Sequence, residues 1–419
     1  MLIHYYHQFY AGPNSPGPAQ PRSLVRRLAE RGHRVDVIAC DCNAYNEQTE
    51  PAEDWTAESG GRVTVHRLPV SRNLRASLMS RLRSYGGFAC SAYRYGRRLP
   101  APDVVMTSIQ PLFGGYAAML LARRWKKPFL LEIRDLWPDA LVVKKVISNW
   151  QAWPLQKMAK SLYFGADRVV SLTPGIKTEL LKKGVPAELL DVFPNGFDKN
   201  TYDFPDDTRS KTRARLGWGN QFVAVYTGTH TEVTAIDVIV RAAASLRHRQ
   251  DIRIDLFGSG QSKAGAMSLA QKMGLDNIFF HDPVPKSQIP SILAGADLGI
   301  MTLFHSPLIH IYFENKFIDY MGAGKPIAAA MEGVQAEIIT KNSLGRVVPA
   351  FDYEGLGRLI SDAADNSAEW RKMAESGHLF VSNRLDQSKI LDRYVDTLES
   401  LARGDSGKMA SWDPFQERN

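Results

Sequence analysis

Residues 313–327 read F-E-N-K-F-I-D-Y-M-G-A-G-K-P-I and combine a charged cluster, a helix and a strand. The cluster runs into a predicted helix, Gly-x-Gly-Lys-Pro ends that helix, and an apolar strand follows. A lysine at a helix N-terminus favours a diphosphate, because free backbone N–H groups and the ammonium both attract anions. A nearby carboxylate can accept hydrogen bonds from sugar hydroxyls. The stretch is therefore either a binding site for a sugar diphosphate or an ordinary solvated helix end.

The pattern of a strand next to a helix recurs along the whole chain, which predicts an α/β protein with largely parallel sheets. A first set of strands is predicted at 3–9, 35–39, 63–68, 104–108, 129–133, 168–172 and 191–193. A second set is predicted at 222–227, 253–257, 278–281, 298–301, 327–330 and 346–348. Each set is enough for one Rossmann-like domain.

The length of 419 residues also favours two domains, because it exceeds what one hydrophobic core usually supports. The segment between the two strand sets is rich in Asp, Lys, Arg and Pro and has no strong periodicity, which is typical of a linker. The final residues are polar and are expected to fray. The predicted division is a first domain at 1–196, a linker at 197–220, a second domain at 221–384, a helix at 385–402 and a tail at 403–419.

The composition is that of an ordinary globular protein, with 44% apolar and 23% charged residues. No apolar run is long enough for a transmembrane helix. The N-terminus, M-L-I-H-Y-Y-H-Q-F-Y, has no basic lead and no cleavage site, so it predicts a first strand rather than a signal peptide. The three cysteines have neither disulfide nor zinc spacing, and we expect them to be small buried side chains in a reducing cytosol.

The formal net charge of +8 is unevenly distributed. Residues 71–99 contain no acid, and apolar residues recur there at helical spacing among seven arginines, at positions 72, 75, 81, 83, 94, 97 and 98. A basic helix with an apolar face fits an anionic membrane surface. The alternatives are a solvated basic helix whose apolar stripe packs on its own domain, and a nucleic-acid surface. No recognised nucleic-acid motif accompanies the segment, so no nucleic-acid partner is expected.

The 313–327 stretch resembles the donor-site signature of the family-4 retaining glycosyltransferases, which have the GT-B fold and use nucleotide-sugars. In that family a serine or asparagine, a lysine and an acidic residue precede Tyr-Met-Ala-x-Gly-Lys-Pro, and here Asn315, Lys316 and Asp319 precede Y-M-G-A-G-K-P. Aspartate replaces the usual glutamate at 319. Ile311 stands where the commoner family form has a second glutamate, and Glu314 is the candidate replacement.

This resemblance implies two Rossmann-like domains facing across a cleft, with a C-terminal helix that crosses back to the first domain. It implies that Lys316 neutralises the donor β-phosphate and that Glu314 and Asp319 hold donor hydroxyls. Asn315 is expected to contact the donor as well.

Glycine turns after several strands also resemble family landmarks. Gly17 lies in the loop after the first strand, A-G-P-N-S-P-G-P-A-Q-P-R-S, where donor and acceptor phosphates meet in the family. In V-Y-T-G-T-H-T-E-V, Gly228 would let the diphosphate approach closely, with Thr229 and His230 as donor contacts. The family often has arginine or lysine just after this glycine. This chain has neither there, so Lys316 and helix N-termini would have to neutralise the phosphate charge.

Two further turns are expected near the nucleotide base. In L-F-G-S-G-Q, Gly258 and Gly260 resemble the second glycine turn of the family and are expected to border the base. Val284 follows a strand whose end commonly contacts the base through its backbone.

The first domain contains one fairly specific string, E-I-R-D-L-W-P at 132–138. It resembles a branch of the family that builds bacterial surface polysaccharides, of the L-fucosamine type. Asp135 lies where other branches have a histidine that contacts the donor sugar, and it is our candidate for a catalytic residue in this domain. The alternative is a buried salt bridge among Glu132, Arg134 and Asp135.

No Asp-x-Asp and no histidine cluster is present, so no metal and no cofactor other than the nucleotide-sugar co-substrate is expected. The resemblance implies a cytoplasmic enzyme, peripheral on the inner face of the plasma membrane. It would move a UDP-linked hexose or N-acetylhexosamine to a lipid-linked saccharide or another hydroxyl acceptor. The alternatives are a nucleotide-sugar 2-epimerase, a transferase acting on a soluble small molecule, and a catalytically weak membrane-binding subunit.

Overall fold

The computed structural model describes residues 1–12, 15, 20–44, 47–50, 55, 59–72, 77–109, 111–143, 145–306, 308–405 and 409–416. The chain divides into two compact units. Unit 1 comprises Met1–Asn195 together with Ser388–Asn419, and unit 2 comprises Gly196–Gln387.

Unit 1 contains a parallel sheet of seven strands in the order β3-β2-β1-β4-β5-β6-β7. The strands are β1 Leu2–Tyr6, β2 Arg34–Cys40, β3 Val63–Leu68, β4 Val104–Ser108, β5 Phe129–Ile133, β6 Arg168–Ser171 and β7 Leu190–Val192. The central strands are buried along their whole length because helices cover both faces of a parallel sheet, and their sequences are correspondingly apolar.

Helices connect these strands and cover the sheet. They are α1 Gln20–Glu30, α2 Leu78–Gly96, α3 Leu112–Trp125, α4 Asp139–Val143, α5 Asn149–Gly165 and α6 Pro174–Lys182. On one side of the sheet, α3 packs against both α2 and α5.

The last helix of the chain, α15 Gln387–Ala402, belongs to unit 1. Ile390, Tyr394 and Leu398 recur every four residues and are buried in the same core cluster as Leu24 and Leu28 of α1. The segment beyond it was expected to fray, and for residues 409–416 that prediction is wrong. The Trp412 ring lies against Phe193, with 5.3 Å between ring centroids, and the Lys177 ammonium lies 3.1 Å from the Asp413 carboxylate.

Unit 2 contains a parallel sheet of six strands in the order β10-β9-β8-β11-β12-β13. The strands are β8 Phe222–Thr227, β9 Ile252–Phe257, β10 Ile278–His281, β11 Leu298–Thr302, β12 Ile327–Ala330 and β13 Gly345–Val348. The strand order reverses between β8 and β11, and ligands of open α/β sheets bind beyond the carboxyl ends of the strands at such a point.

In chain order, the first six helices of unit 2 are short and the last two are longer. They are α7 Thr208–Leu216, α8 Ile236–Ser245, α9 Lys263–Lys272, α10 Ile289–Gly295, α11 Lys316–Gly322, α12 Val334–Lys341, α13 Tyr353–Asp365 and α14 Ser367–Arg384.

The linker predicted at 197–220 is wrong, because this segment is folded into unit 2. It forms a 3-10 turn, Lys199–Tyr202, and helix α7, which packs against α10. Arg209 and Arg213 of α7 both pair with the Asp297 carboxylate, at 2.5 and 3.2 Å. Polar contacts of this kind hold a helix in place without leaving a periodic apolar pattern in the sequence.

The chain enters and leaves unit 2 at neighbouring points. The Phe197 N–H donates to the Leu385 carbonyl at 2.6 Å, and the Gln387 N–H donates to the Phe197 carbonyl at 2.9 Å. In the described part of the chain, none of the helices has the length and apolar character needed to cross a membrane. Cys40 and Cys42 are buried as expected, but Cys90 is exposed.

Candidate functional site

Two glycine turns meet beyond the carboxyl ends of β8 and β9. Gly228 follows β8 with φ +143°, and Gly258 and Gly260 follow β9 with φ +154° and +155°. A Cβ atom on Gly258 would overlap the Gly228 carbonyl oxygen, and one on Gly260 would overlap the carbonyl of His230. Only glycine allows these backbones to touch in this conformation. The structure therefore brings these predicted site residues together.

His230 lies between the two turns with its side chain fully buried. Its backbone N–H donates to the Ser259 carbonyl at 2.9 Å, and its carbonyl accepts from the Ser262 N–H at 2.9 Å. Neither ring nitrogen has a hydrogen-bond partner among the described residues. Burial, together with the nearby positive charges of Lys263 and Lys316, lowers the pKa of His230 to about 4. The imidazole is thus neutral at pH 7 and has an unused donor and an unused acceptor.

Lys316 is the first residue of α11 and is 5% exposed. Its ammonium lies 2.6 Å from a Glu314 carboxylate oxygen and 3.1 Å from the Tyr226 hydroxyl. The ammonium also lies 4.4 Å from the centroid of the Tyr226 ring. A Cβ on Gly228 would lie 3.3 Å from the ammonium, so the lysine reaches the end of β8. The structure thus places a buried cation directly beside the glycine turn.

Burial opposes the charge on Lys316, but the Glu314 carboxylate outweighs it and the pKa of Lys316 is raised above its ordinary value. Glu314 is itself held in place by Gln335 of α12. The Glu314 N–H donates to the Gln335 side-chain oxygen at 2.8 Å, and the Gln335 amide nitrogen donates to the Glu314 carbonyl at 3.0 Å. Gln335 is fully buried. The Lys316–Glu314 pair therefore has a fixed position at the edge of the glycine turns.

Asp319, one helical turn after Lys316, has a different environment. Its carboxylate accepts a hydrogen bond from the Tyr202 hydroxyl at 2.7 Å, and burial raises the pKa of Asp319. Tyr202 belongs to the segment that the sequence predicted to be a linker. The structure shows Asp319 anchored to this segment; its predicted contact with donor hydroxyls stays a prediction.

Tyr320 fixes α11 against the sheet. Its hydroxyl accepts from the Thr227 N–H at 3.0 Å and lies 3.2 Å from the Ile300 carbonyl oxygen, so it bridges the end of β8 and the middle of β11. A Cβ on Gly299 would overlap the Tyr320 ring. This explains why the motif needs a tyrosine at this place: the ring positions the first turn of α11, and with it Lys316.

The other residues predicted for unit 2 lie around these turns. Thr229 is exposed, and its carbonyl accepts from the Tyr226 hydroxyl at 2.8 Å. Asn315 is the exposed N-cap of α11, and its carbonyl accepts from the Ile318 N–H at 2.9 Å. Val284 lies half-buried in the loop after β10. Sequence reasoning missed Tyr226 and Gln335, which lie far along the chain from the residues they hold.

In unit 1, Asp135 follows β5 and is half-buried. The structure shows part of the alternative salt bridge: an Arg134 nitrogen lies 3.3 Å from the Glu132 carboxylate and donates to the Gln20 side-chain oxygen at 2.7 Å. Asp135 is in a different unit from Lys316, and its predicted role stays a prediction. Gly17 lies outside the described residues.

The arginine-rich segment is helical from Leu78 to Gly96, and Ser77 caps it by accepting from the Ser80 N–H at 3.1 Å. Phe88 is fully buried and lies above Gly114 of α3. The apolar side of this helix therefore packs at least partly on its own domain, while Arg83 and Arg94 are exposed. Arg75 lies outside the described residues.

The described residues contain no group of three or more His, Cys, Asp or Glu side chains that could hold a metal ion. What they do contain is a buried cation, a neutral imidazole and two closely packed glycine turns at the switch point of a Rossmann-like sheet. Such an arrangement can bind a diphosphate and part of a sugar.

Comparison with known proteins defines the class. The glycosyl transferase 4-like domain matches residues 19–196, and the glycosyl transferases group 1 domain matches residues 221–366. Among solved structures, sucrose-phosphate synthase of Thermosynechococcus elongatus has a TM-score of 0.74 and 18% identity, covering 96% of this chain and 99% of that one. Anabaena HepE in complex with UDP has a TM-score of 0.73 and 18% identity, covering 96% and 100%. The chain is a glycosyltransferase with the GT-B fold.

Sequence relatives agree with the domain matches. The Escherichia coli (strain K12) protein WcaI, named as a colanic acid biosynthesis glycosyl transferase, is 24% identical over 303 residues, covering 66% of this chain and 70% of WcaI. D-inositol 3-phosphate glycosyltransferase of Streptomyces avermitilis is 23% identical over 383 residues, covering 87% and 80%. The chain belongs to the family-4 glycosyltransferases, an enzyme family of glycan biosynthesis.

Proposed function

We propose that this enzyme transfers a hexose or N-acetylhexosamine from a UDP-sugar to a hydroxyl group with retention of configuration. The observation that carries the proposal is the Lys316 ammonium, buried and paired with Glu314 beside the Gly228 turn. A fixed cation beside a glycine turn at the end of a Rossmann-like strand matches a leaving diphosphate. HepE, which shares the fold, binds UDP at its own site, and this supports uracil as the base.

The donor diphosphate would lie over Gly228 and Gly258, with the β-phosphate against Lys316. His230, neutral and buried beside both turns, would donate one ring N–H to a phosphate oxygen or a donor hydroxyl. Thr229, Asn315, Gly260 and Val284 would complete the nucleotide contacts through the loops around the turns.

In the reaction, the bond between the anomeric carbon and the β-phosphate oxygen breaks, and a bond to the acceptor oxygen forms on the same face of the sugar. The acceptor proton passes to the departing phosphate oxygen, so no protein base is needed. The protein would supply position and charge stabilisation, with Lys316 opposite the developing negative charge. Glu314 and Asp319 would hold donor hydroxyls.

The acceptor we propose is a lipid-linked saccharide in surface-polysaccharide synthesis, at the cytoplasmic face of the plasma membrane. The WcaI relative, the polysaccharide-type E-I-R-D-L-W-P string and the exposed arginines of α2 support this acceptor. A second candidate is a small soluble acceptor, which the D-inositol 3-phosphate glycosyltransferase relative favours.

The test is a panel of nucleotide-sugars incubated with the purified protein and either polyprenyl-diphosphate-linked saccharides or soluble phosphorylated polyols. Products are identified by mass spectrometry, and their anomeric configuration by NMR. We expect a UDP-sugar to give a product with the donor's configuration. An inverted product would contradict retention, and conversion of the donor without any acceptor would instead show a 2-epimerase.

A further inference from the structure

Helix α5 has an exposed stripe of aromatic and basic side chains. Trp150 is 77% exposed, Trp153 is 58% exposed and Phe164 is 50% exposed, while Lys157 and Lys160 are also exposed. The spacing of three and four residues places all five on one face of the helix. The opposite face, with Ala152, Ala159 and Leu162, is buried against unit 1. The exposed stripe is therefore additional to the face that holds the helix on its sheet.

The charge around this stripe has one sign. Between Asp139 and Asp167 the sequence has four lysines and no acidic residue. The two bracketing aspartates already have partners: the Lys183 ammonium lies 2.7 Å from Asp139, and Asp167 accepts from the Phe129 N–H at 2.8 Å. The described part of α5 thus presents cations without neighbouring acids on the helix to neutralise them.

The surface continues beyond the helix. Phe164 lies close to Gly184, and Leu181 is 40% exposed. At the same end of α5, a guanidinium nitrogen of Arg123 from α3 lies beside Gly165. Val146, before the helix, is 50% exposed. Apolar and basic groups therefore extend past both ends of the stripe.

The mixture of side chains identifies the partner. Two exposed tryptophans are unusual on a water-facing helix, because each leaves a large apolar ring in solvent. Indole rings favour the boundary between headgroups and acyl chains, where one edge is apolar and the other is wet. The Lys157 ammonium lies 3.7 Å from the centroid of the Trp153 ring, so cation and ring occupy the same place on the surface. Lysine ammonium groups beside such rings lie at the level of the lipid headgroups, where they contact phosphates.

We propose that α5 docks unit 1 on an anionic bilayer, with Trp150, Trp153 and Phe164 entering the headgroup–acyl boundary and Lys157 and Lys160 contacting lipid phosphates. This surface is different from the exposed arginines of α2. It would bring unit 1 to the bilayer that carries the proposed lipid-linked acceptor. The biological role of this docking rests on the proposed function. The docking itself is measured without donor or acceptor.

The first experiment is cosedimentation of the full chain with vesicles of phosphatidylcholine, with and without phosphatidylglycerol. We expect wild type to bind the anionic vesicles, Trp150→Ala/Trp153→Ala to bind at least about tenfold more weakly, and Lys157→Gln/Lys160→Gln to lose about fivefold for each lysine at low salt. The matched control is Met267→Ala/Leu379→Ala, which removes two exposed apolar side chains from unit 2. It should bind as wild type does.

The second experiment separates ring insertion from a general loss of binding. Brominated acyl chains should quench the tryptophan fluorescence of wild type. Trp150→Phe/Trp153→Phe should still bind, because phenylalanine keeps most of the apolar surface, but it should lose most of the quenching. These substitutions are at exposed positions, so circular dichroism should show unchanged folding.

Equal vesicle binding by wild type and the double tryptophan variant would overturn the proposal. So would binding of wild type to neutral and anionic vesicles alike, or masking of the tryptophans by self-association or nucleic acid with no lipid binding. A protein that docks but transfers no sugar would leave α5 as a membrane surface and refute only the proposed function.

Discussion

The Lys316 ammonium lies 2.6 Å from the Glu314 carboxylate, in a pocket where the lysine is almost completely buried. A buried ion pair costs desolvation of both charges, so it is weak evidence for a purely stabilising role. Here the pair is held by Gln335 on one side and by Tyr226 on the other. The relationship defines a cation of fixed position, whose contribution to turnover can be measured.

Replacing Lys316 by alanine should lower turnover by about 10² or more, because one preorganised charge-stabilising group is removed. The measurement is kcat with saturating nucleotide-sugar, on protein whose folding is verified by circular dichroism. Lys372→Ala, an exposed lysine on α14, is the matched control and should retain wild-type turnover. A near-normal kcat for correctly folded Lys316→Ala would refute the site assignment.

Replacing Glu314 by glutamine should change the pH profile rather than only the rate. Without the carboxylate, burial lowers the pKa of Lys316, so the ammonium deprotonates as the pH rises. The variant should therefore lose kcat/KM on the alkaline side at a lower pH than wild type, where the raised pKa keeps the lysine charged. Glu375→Gln, exposed on α14, should reproduce the wild-type profile. Superimposable profiles for Glu314→Gln and wild type would show that the pair has no electrostatic role.

Gly258→Ala should destabilise unit 2 by at least about 2 kcal/mol, because the added Cβ meets the Gly228 carbonyl and the backbone is at φ +154°. Gly265→Ala in α9 provides the contrast. Its Cβ would enter open space, and alanine should stabilise the helix by up to about 1 kcal/mol. Urea unfolding followed by tryptophan fluorescence compares the two. Similar midpoints for both variants would show that the two glycine turns do not need to touch.

The pH dependence of stability should reveal His230. Its pKa is about 4 when folded and 6.5 in an unperturbed chain, so the imidazole is neutral in both states above pH 6.5. As the pH falls from 6.5 towards 4, the unfolded chain binds a proton that the folded chain does not, and stability is lost. His230→Gln should lose less stability over this range in urea unfolding at pH 7, 6 and 5. Exposed His248→Gln controls for the loss of an imidazole, and parallel slopes for His230→Gln and wild type would count against a buried neutral ring.

Turnover should survive EDTA, because the described residues have no cluster of metal-ligating side chains and we propose that Lys316 neutralises the diphosphate charge. The measurement is the initial rate with excess chelator, followed by addition of magnesium or manganese. A rate that disappears with EDTA and returns with either ion would show that a divalent cation takes part.

The strands could be located from the sequence because each is a buried run of a parallel sheet. β5 was predicted at 129–133 and is found at Phe129–Ile133, where all five side chains are buried. Lys316 and Glu314 were both predicted as site residues because they stand in one short charged stretch, but their ion pair came from the structure. Tyr226 could not be added to them, because the contact spans 90 residues and depends on how β8 and α11 pack.

Helix α7 was missed for the opposite reason. Thr212 is its one buried residue, so the sequence carries no apolar stripe, and the helix is held by Arg209 and Arg213 on Asp297. The Tyr202–Asp319 hydrogen bond spans 117 residues and was hidden by the same error. Polar anchoring between distant segments was the part of the fold that pattern reasoning could not reach.

The closeness of Phe197 and Gln387 makes unit 2 an insertion into unit 1. Its two ends are hydrogen-bonded to each other, so residues 196–387 could be excised and produced as a free-standing unit. Unit 1 cannot be cut out in the same way, because Tyr394 and Leu398 near the C-terminus complete a core that is otherwise built from residues between Ile3 and Phe193. A nonsense mutation after Gln387 would therefore leave unit 2 intact, although it is synthesised later, and would destabilise unit 1, most of which is synthesised first.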